Sequence, residues 1–262
     1  ETISEQLIGY APAGGSALRD YFKSSTNHSR KDLLATGLFQ QTKNKAYDYY
    51  QDRIVFPYWL NGEIVYSIGR LPTDDRDEIS KRHQSDRSKY KKHRIHGDKR
   101  PYISAYAVEH TIYGQNSIRG SKSEIIITEG VLDAILAIQA GFACLSPTTT
   151  VFKQDDIDKL ELLTRKADTV YIINDNEDNA AGLEGAMSTA KALFLAGCDV
   201  RIVKLPNLEE KEKIDLADFL NVPDDEKEVL LGERVIGKYG CHNCHEIKGF
   251  EGSGQIGTPL TT

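Results

Sequence analysis

Acidic side chains follow three predicted strands, which is where α/β proteins place metal-dependent chemistry. The run SEIIIT leads into Glu129, TVYIIN leads into Asp175, Glu177 and Asp178, and DVRIVKL is followed by Asp215 and Asp218. Carboxylates that meet at one sheet edge repel each other, so they are costly unless a divalent cation lies among them. The pattern predicts a Mg²⁺ or Mn²⁺ site, although an acid at the end of a strand also serves as a helix cap.

A basic segment precedes these strands. Between Arg76 and Arg100 there are ten Lys or Arg residues against four acids, a local balance of +6 in a chain whose net charge is −6. Such a segment is either a solvated loop or a surface that binds the phosphates of a nucleic acid.

Near its end the chain carries a C-x-x-C-H sequence formed by Cys241, Cys244 and His245. This spacing is the attachment signature of a c-type haem, with two thioether links and one axial imidazole. The same residues together with His242 are poorly placed for tetrahedral zinc. No Met or His follows His245 to supply a second axial ligand, so we expect no functional covalent haem on this chain.

The intervening sequence predicts the elements that position these groups. Residues 1–50 are polar and predicted to be helical, and Asn61-Gly62 between two β-rich runs predicts a hairpin. From 123 to 220 short apolar runs alternate with helical segments, which predicts a parallel sheet flanked by helices. In the helix near 181–196, an apolar stripe at helical spacing is predicted to face this sheet: Leu183, Met187, Ala190 and Phe194.

Composition limits the cellular setting. The sequence has no run of 18 apolar residues and no basic start followed by an apolar run, so neither a membrane span nor a signal peptide is visible in it. Residue 1 is Glu rather than Met, which leaves a preceding leader open. Cys144 and Cys198 lie in apolar surroundings and are predicted to be buried thiols in a reducing compartment. The predicted location is the cytoplasm.

Several of these runs carry a family resemblance. The segments EGVLDAILAIQAGF and VYIINDNEDNAAG resemble the TOPRIM domain, in which Glu-Gly follows one strand and Asp-x-Asp a later one. Upstream, GYAP, Gly37-Leu38, DRIVFPYWLNGEIVYSIGR, KRPYIS and IYG resemble, in this order, the catalytic core of DnaG-type DNA primases. The resemblance covers roughly residues 1–220. It implies a smaller mixed α+β subdomain at 1–122, which includes the basic segment, and a TOPRIM domain at 123–222.

The resemblance assigns roles to individual residues. It implies that Glu129, Asp175 and Glu177 are catalytic, with Glu177 replacing the usual second Asp of Asp-x-Asp and Asp178 competing for its place. The implied metal ligands are Glu129, Asp133, Asp175, Glu177, Asp178, Asp215 and Asp218. Groups that bind template or nucleotide phosphates are implied at Arg53, Arg70, Lys99 and Arg100.

The implied function is template-directed synthesis of short RNA primers by a nucleotidyltransferase that uses Mg²⁺ or Mn²⁺. The implied partners are single-stranded DNA, nucleoside triphosphates and a replicative helicase, with no membrane. The zinc-binding and helicase-binding domains usual on either side are not recognised in the sequence. A TOPRIM protein that only binds or cleaves nucleic acid is the alternative.

The final segment, 223–262, resembles the start of a small c-type cytochrome that has been cut short, with the haem motif followed by IGTPL. Taken alone, this segment would suggest an electron carrier. We expect it to be a separate piece joined near 221–228 and poorly packed against the rest of the chain.

Overall fold

A computed structural model describes residues 2–25, 28–41, 45–82, 86–94, 107–108, 111–118, 123–148, 152–174, 181–206 and 214–239. The helices are α1 (Thr2–Glu5), α2 (Ala17–Ser25), α3 (Arg30–Ala35), α4 (Arg76–Lys81), α5 (Val131–Gln139), α6 (Gln154–Thr164), α7 (Ala181–Leu195), α8 (Leu216–Leu220) and α9 (Asp224–Tyr239). The strands are β1 (Gly9–Ala11), β2 (Phe39–Gln41), β3 (Ala46–Asp48), β4 (Arg53–Leu60), β5 (Glu63–Arg70), β6 (Tyr90–Lys92), β7 (Glu124–Thr128), β8 (Ala143–Leu145), β9 (Thr169–Ile173) and β10 (Val200–Val203).

The second half of the chain forms a parallel sheet in the order β10-β9-β7-β8. Its strands are the short apolar runs identified in the sequence, and successive residues of β7 face opposite sides. Ile126 packs with α5, whereas Ile125 and Ile127 pack with residues of α6 and α7. The predicted α/β class, a parallel sheet flanked by helices, is therefore confirmed.

The first half contributes an antiparallel sheet in the order β1-β4-β5-β6. Strands β4 and β5 form the predicted hairpin around Asn61-Gly62, whose φ angles of +54° and +88° are those of a type I′ turn. The right-handed twist of the two strands matches this turn, and their register shifts at an irregularity between Tyr58 and Trp59.

The two sheets share one core. Phe56, Tyr58 and Tyr66 of the antiparallel sheet lie in the same buried cluster as Val131 and Ala134 of α5. Tyr58 is fully buried and makes edge-to-face contacts with Tyr66 and Tyr113, at centroid distances of 5.3 and 5.0 Å. The antiparallel sheet is consequently held against the α5 side of the parallel sheet.

Gly114 allows the connecting segment to reach the parallel sheet. Tyr113 exchanges backbone hydrogen bonds with Ser146, which directly follows β8. Gly114 has a φ of +80°, and a Cβ there would lie 2.0 Å from the carbonyl oxygen of Cys144. Only glycine fits this approach without moving backbone, which gives a physical reason for the IYG sequence.

The prediction that residues 1–50 are helical is only partly right. Helices α1, α2 and α3 are present, but β1 pairs with β4, and β2 pairs with β3. Helix α2 begins where the buried Asp48 accepts hydrogen bonds from the backbone nitrogens of Leu18 and Arg19, at 2.8 and 3.0 Å. Long-range pairing of this kind leaves little trace in a short polar stretch.

The predicted core stripe of α7 is wrong for three of its four residues. Leu183, Met187 and Phe194 are exposed, and the buried face instead carries Ala186 and Leu193. The buried Thr189 and the partly buried Ala190 lie near that face. Small side chains let the helix approach β9 and β10 closely, so packing distance rather than hydrophobicity selects the buried face.

Helix α9 begins at Asp224, within the predicted junction at 221–228, and continues beyond it. Its side chains Val229, Leu231 and Val235 are exposed, and Lys227 caps the preceding turn by donating to the Leu220 carbonyl oxygen at 3.1 Å. The exposure of these three side chains is what poor packing of the segment would give. The domain boundaries predicted at 122 and 222 stay predictions, and residues 119–122 lie outside the described parts. Among the described residues no helix is long and apolar enough to cross a membrane.

Candidate active site and basic strand

Glu129 lies directly after β7 at the carboxyl edge of the parallel sheet, where α5 begins. Gly130 is the N-cap of α5, and Asp133 lies in the first turn of the helix. A Cβ on Gly130 would be 3.2 Å from Oδ2 of Asp133, so the glycine makes room for that carboxylate. The Thr128 hydroxyl donates to the Gly130 carbonyl oxygen at 3.1 Å and fixes the turn. Both predicted acids are therefore positioned by the β7–α5 junction.

In the sequence the second acidic cluster follows β9, whose carboxyl end lies at the same edge of the sheet. Thr128 pairs with Ile173 in parallel register, so Asn174 follows β9 alongside Glu129. Asp175, Glu177 and Asp178 come next in the sequence and lie outside the described residues. Their roles as catalytic and metal-binding groups stay predictions.

A shallow cleft opens at this edge, on the α7 side of the sheet. Glu129 and Asn174 line it from the strand ends, Phe152 from the segment before α6, and Thr189 from α7. Clefts at the carboxyl ends of parallel strands are where such folds bind ligands.

The third acidic pair caps a helix. The Asp215 carboxylate accepts from the Asp218 backbone nitrogen at 2.8 Å, and the Asp218 carboxylate accepts from the Asp215 nitrogen at 3.3 Å. This reciprocal arrangement is a capping box at the start of α8, which packs against α5 through Leu216. The capping alternative thus holds for this pair, and a role in binding metal remains untested.

The acids that the structure describes supply only oxygen donors, the type that Mg²⁺ and Mn²⁺ prefer. Glu129 directly precedes the N-cap of α5 and Asp133 lies in the first turn of that helix, so both carboxylates belong to the β7–α5 junction. Within the described parts of the chain, no three Asp, Glu, His or Cys side chains lie close enough to hold an ion by themselves. Asp175, Glu177 and Asp178 therefore stay the predicted further ligands at this edge.

The basic segment is not simply a loop. Part of it forms α4, and part forms β6, which pairs antiparallel with β5 as an edge strand. Backbone pairing places Lys91 opposite Gly69 and Lys92 opposite Ile68. Several cations of the segment are thus fixed along the edge of a sheet.

Asp86 organises this edge. Its carboxylate lies 3.2 Å from Arg53, 3.0 Å from Arg82 and 3.3 Å from Lys91. Burial opposes ionisation of Asp86, but the three cations outweigh it and hold its pKa below the usual range. Arg82 also pairs with Asp52, whose pKa is lowered first by that hydrogen bond. A charge count along the chain contains Asp86 only as one acid in a basic segment, so this network was not predicted from the sequence.

The Tyr49 side chain contacts β6 and the residues next to it. Lys91 Nζ and Arg94 Cζ lie 4.6 and 4.8 Å from the centre of its ring, and its hydroxyl donates to the Lys92 carbonyl oxygen at 2.7 Å. Cations over an aromatic face are stabilised by the ring's quadrupole. The ring therefore orders both the backbone and the side chains of the basic strand.

Arg53 and Arg70 lie at the open end of the hairpin, as predicted, but in different surroundings. Arg53 is fully buried, and its guanidinium donates to the carbonyl oxygens of Gly69, Asp86, Ser88 and Lys89. In this structure it has no exposed atom with which to contact a phosphate, so it supports β6 instead. Arg70 reaches the surface and pairs with Asp74.

Other predicted groups lie outside the described residues, namely Lys99, Arg100, Cys241, Cys244 and His245.

The buried-thiol prediction holds for Cys144 and Cys198. Burial raises the pKa of Cys144 to about 12, which leaves this thiol protonated and unreactive near neutral pH.

Two domain families match this chain. Residues 1–95 match the N-terminal domain of the DNA primase catalytic core, and residues 126–220 match the Toprim-like family. The two matches cover the antiparallel sheet with its basic strand and the parallel sheet with its acidic edge, respectively.

Relatives and solved structures agree with these matches. The DNA primase of Geobacillus stearothermophilus is 27% identical over 245 residues, which cover 92% of this chain and 35% of that protein. The chain thus spans about a third of the length of this relative. The crystal structure of the zinc-binding and RNA polymerase domains of Aquifex aeolicus primase has a TM-score of 0.64 at 23% identity, covering 88% of this chain and 52% of that one. A DnaG primase catalytic domain bound to single-stranded DNA has a TM-score of 0.62 at 18% identity, covering 88% and 67%. These structural matches show that the fold is shared.

Proposed function

Because this chain belongs to the family of DnaG-type primase catalytic cores with a TOPRIM domain, we propose that it extends RNA on a single-stranded DNA template. The observation that carries the proposal is the pairing of β7 with β9, which sets Glu129 beside Asn174 at one edge of the parallel sheet. Two acidic sequence clusters then follow adjacent strands, and carboxylates are the ligand type that a catalytic divalent cation prefers.

The reaction joins the 3′-oxygen of the growing RNA to the α-phosphorus of a nucleoside triphosphate, and the bond to pyrophosphate breaks. Glu129 and Asp133, together with Asp175 and either Glu177 or Asp178, would hold Mg²⁺ or Mn²⁺. Held by these residues, such an ion would supply positive charge that neutralises the transferring phosphate and favours ionisation of the attacking hydroxyl. TOPRIM domains in general bind such ions, whereas the choice of these residues is our proposal.

The chain's own residues would supply positioning. The Gly130 turn and the first turn of α5 fix the two described carboxylates relative to the sheet. The exposed cations Lys89 and Lys92, together with Arg70, would bind template phosphates along β6. Lys99 and Arg100 join them by family resemblance. Positioning and charge neutralisation provide most of the rate in phosphoryl transfer.

The likeness to a primase domain bound to single-stranded DNA supports the template assignment. Nucleoside triphosphates as substrates, a replicative helicase as partner and a cytoplasmic location follow from the same proposal. They rest on the family rather than on a contact seen in this structure.

The experiment is extension of an RNA primer annealed to a DNA template, which removes any dependence on initiation. Glu129→Gln and Asp175→Asn should abolish extension in Mg²⁺ or Mn²⁺ and leave the fold intact. Glu124→Gln is the matched control, because Glu124 lies at the other end of β7 and is exposed. Full activity in both active-site variants would refute the proposal, and template cleavage without extension would favour a TOPRIM nuclease. Comparing Glu177→Gln with Asp178→Asn identifies which acid completes the site.

A further inference from the structure

Asp74 bridges two cations at the surface where the template is proposed to bind. Its Oδ2 lies 2.6 Å from Nη2 of Arg70, and its Oδ1 lies 3.0 Å from Nζ of Lys89. Each oxygen of one carboxylate thus contacts a different positive side chain.

The two cations are held in place independently of Asp74. Arg70 is the last residue of β5 and pairs with Tyr90 of β6, and the Leu71 nitrogen donates to the Lys89 carbonyl oxygen at 2.9 Å. Arg70 Nη1 also donates to the Leu71 carbonyl oxygen at 2.9 Å, and its guanidinium lies 6.0 Å from the centre of the Tyr90 ring. The backbone pairing therefore keeps these two like charges side by side even when Asp74 moves away.

Asp74 itself is easily displaced. Its side chain is 57% exposed and lies on the irregular segment between β5 and α4, and Lys89 is 49% exposed. Ion pairs at such exposure contribute little to stability and weaken with salt. Asp86, at 21% exposure with three cations around it, is by contrast a fixed part of the framework.

A phosphodiester, like this carboxylate, presents two anionic oxygens, one of which can meet Nη2 of Arg70 while the other meets Nζ of Lys89. We propose that Asp74 is an internal competitor that occupies the Arg70–Lys89 pair and lowers its affinity for nucleic-acid phosphates. Template binding displaces the carboxylate, and its return favours release as the protein moves along the strand. This inference rests on the proposed function.

The test is binding of a fluorescent oligothymidylate to the full chain, followed by anisotropy over a range of salt concentrations. Asp74→Asn should tighten binding about 3- to 10-fold at low salt, because an anion that competes with the phosphate is lost. The dependence of log Kd on log salt should steepen by up to about 0.7 for each additional phosphate that the protein neutralises.

Asp77→Asn is the matched control, because it removes the same charge three residues away. Asp77 lies exposed in the first turn of α4, and its side chain makes no ion pair with the described residues. It should change affinity less than 2-fold. In a Lys89→Gln background the gain from Asp74→Asn should shrink, because one of the two cations that Asp74 occupies is then missing.

Equal effects of Asp74→Asn and Asp77→Asn would overturn the inference, as would a gain that persists unchanged with Lys89→Gln. If the chain extends RNA but Asp74→Asn behaves like the control, only this inference fails. If Asp74→Asn tightens binding but no extension occurs, the phosphate site stands and the proposed reaction fails. Absence of any binding to DNA contradicts both.

Discussion

Removing the charge of Asp86 should loosen the basic strand and destabilise the whole protein. In Asp86→Asn, Arg53 loses its only described carboxylate partner while its fully buried guanidinium remains charged. Breaking a buried ion pair on one side costs about 3–5 kcal/mol. Asp86 retains 21% exposure, and an amide still accepts one hydrogen bond, so the expected loss is about 2–3 kcal/mol.

The assay is equilibrium unfolding in urea, supported by thermal melting. For a chain of this size, a loss of about 2–3 kcal/mol lowers Tm by about 4–12 °C. Asp77→Asn serves again as the control, and we expect it to stay within about 0.5 kcal/mol of the unaltered protein.

The difference should also depend on pH. The folded-state pKa of Asp86 lies below its usual value, so its ionised form stabilises the fold above about pH 4. That contribution is lost as pH falls through the folded pKa, and the gap between Asp86→Asn and the unaltered protein should then close. A gap below about 0.5 kcal/mol at neutral pH, or one that widens in acid, would refute the role given to this carboxylate.

Three other predictions follow from particular contacts. Gly114→Ala should lower the free energy of unfolding in urea by more than about 3 kcal/mol, because its Cβ would meet the Cys144 carbonyl oxygen. The control Gly141→Ala, with a φ of +92° and open space around it, should cost only about 1–2 kcal/mol. Similar losses in the two variants would contradict the clash. The partly buried His93 bonds to Ser67 and to the Thr36 carbonyl oxygen, and desolvation lowers its pKa, so the stability of the protein should fall as pH drops below about 6.5. This pH dependence, followed by thermal melting, should flatten in His93→Gln, and an unchanged slope would contradict the prediction. Removing 224–262 should leave binding to single-stranded DNA and to nucleotides unchanged. Protein expressed in the cytoplasm should show no covalent haem by mass or visible spectrum, whereas a stoichiometric haem in protein from the native host would make a redox role primary.

Periodicity and turn chemistry were sufficient to predict the parallel sheet and the hairpin. The apolar run of β7 is buried on both faces, that of β9 is buried on one face and partly buried on the other, and the Asn61-Gly62 turn has few alternatives to type I′. These signals are local, so a single sequence contains them.

Packing choices between distant elements were not predictable in the same way. Helix α7 turns Ala186 rather than Met187 to the sheet because the available space, not hydrophobicity alone, decides its orientation. The short strands β1, β2 and β3 depend on partners elsewhere in the chain.

The candidate site likewise has residues whose positions the sequence predicted and residues whose surroundings it did not predict. The sequence predicted Glu129 and Asp133 at the start of α5, where the structure has them. It did not predict that Arg53 would be buried or that Asp74 and Asp86 would each join several cations. Such roles arise from pairings across β4, β5 and β6, and a charge count along the chain contains no information about them.

The most direct measurement of the central claim is which ribonucleotide the chain adds to an RNA primer annealed to a defined DNA strand, in Mg²⁺ or Mn²⁺. A template with only thymine beyond the primer should direct incorporation of ATP alone, and one with only cytosine should direct GTP alone. Glu129→Gln should incorporate neither, whereas Glu124→Gln should match the unaltered chain. Incorporation that ignores the template, or that survives in Glu129→Gln, would contradict the account of this acidic sheet edge as a template-directed polymerising site.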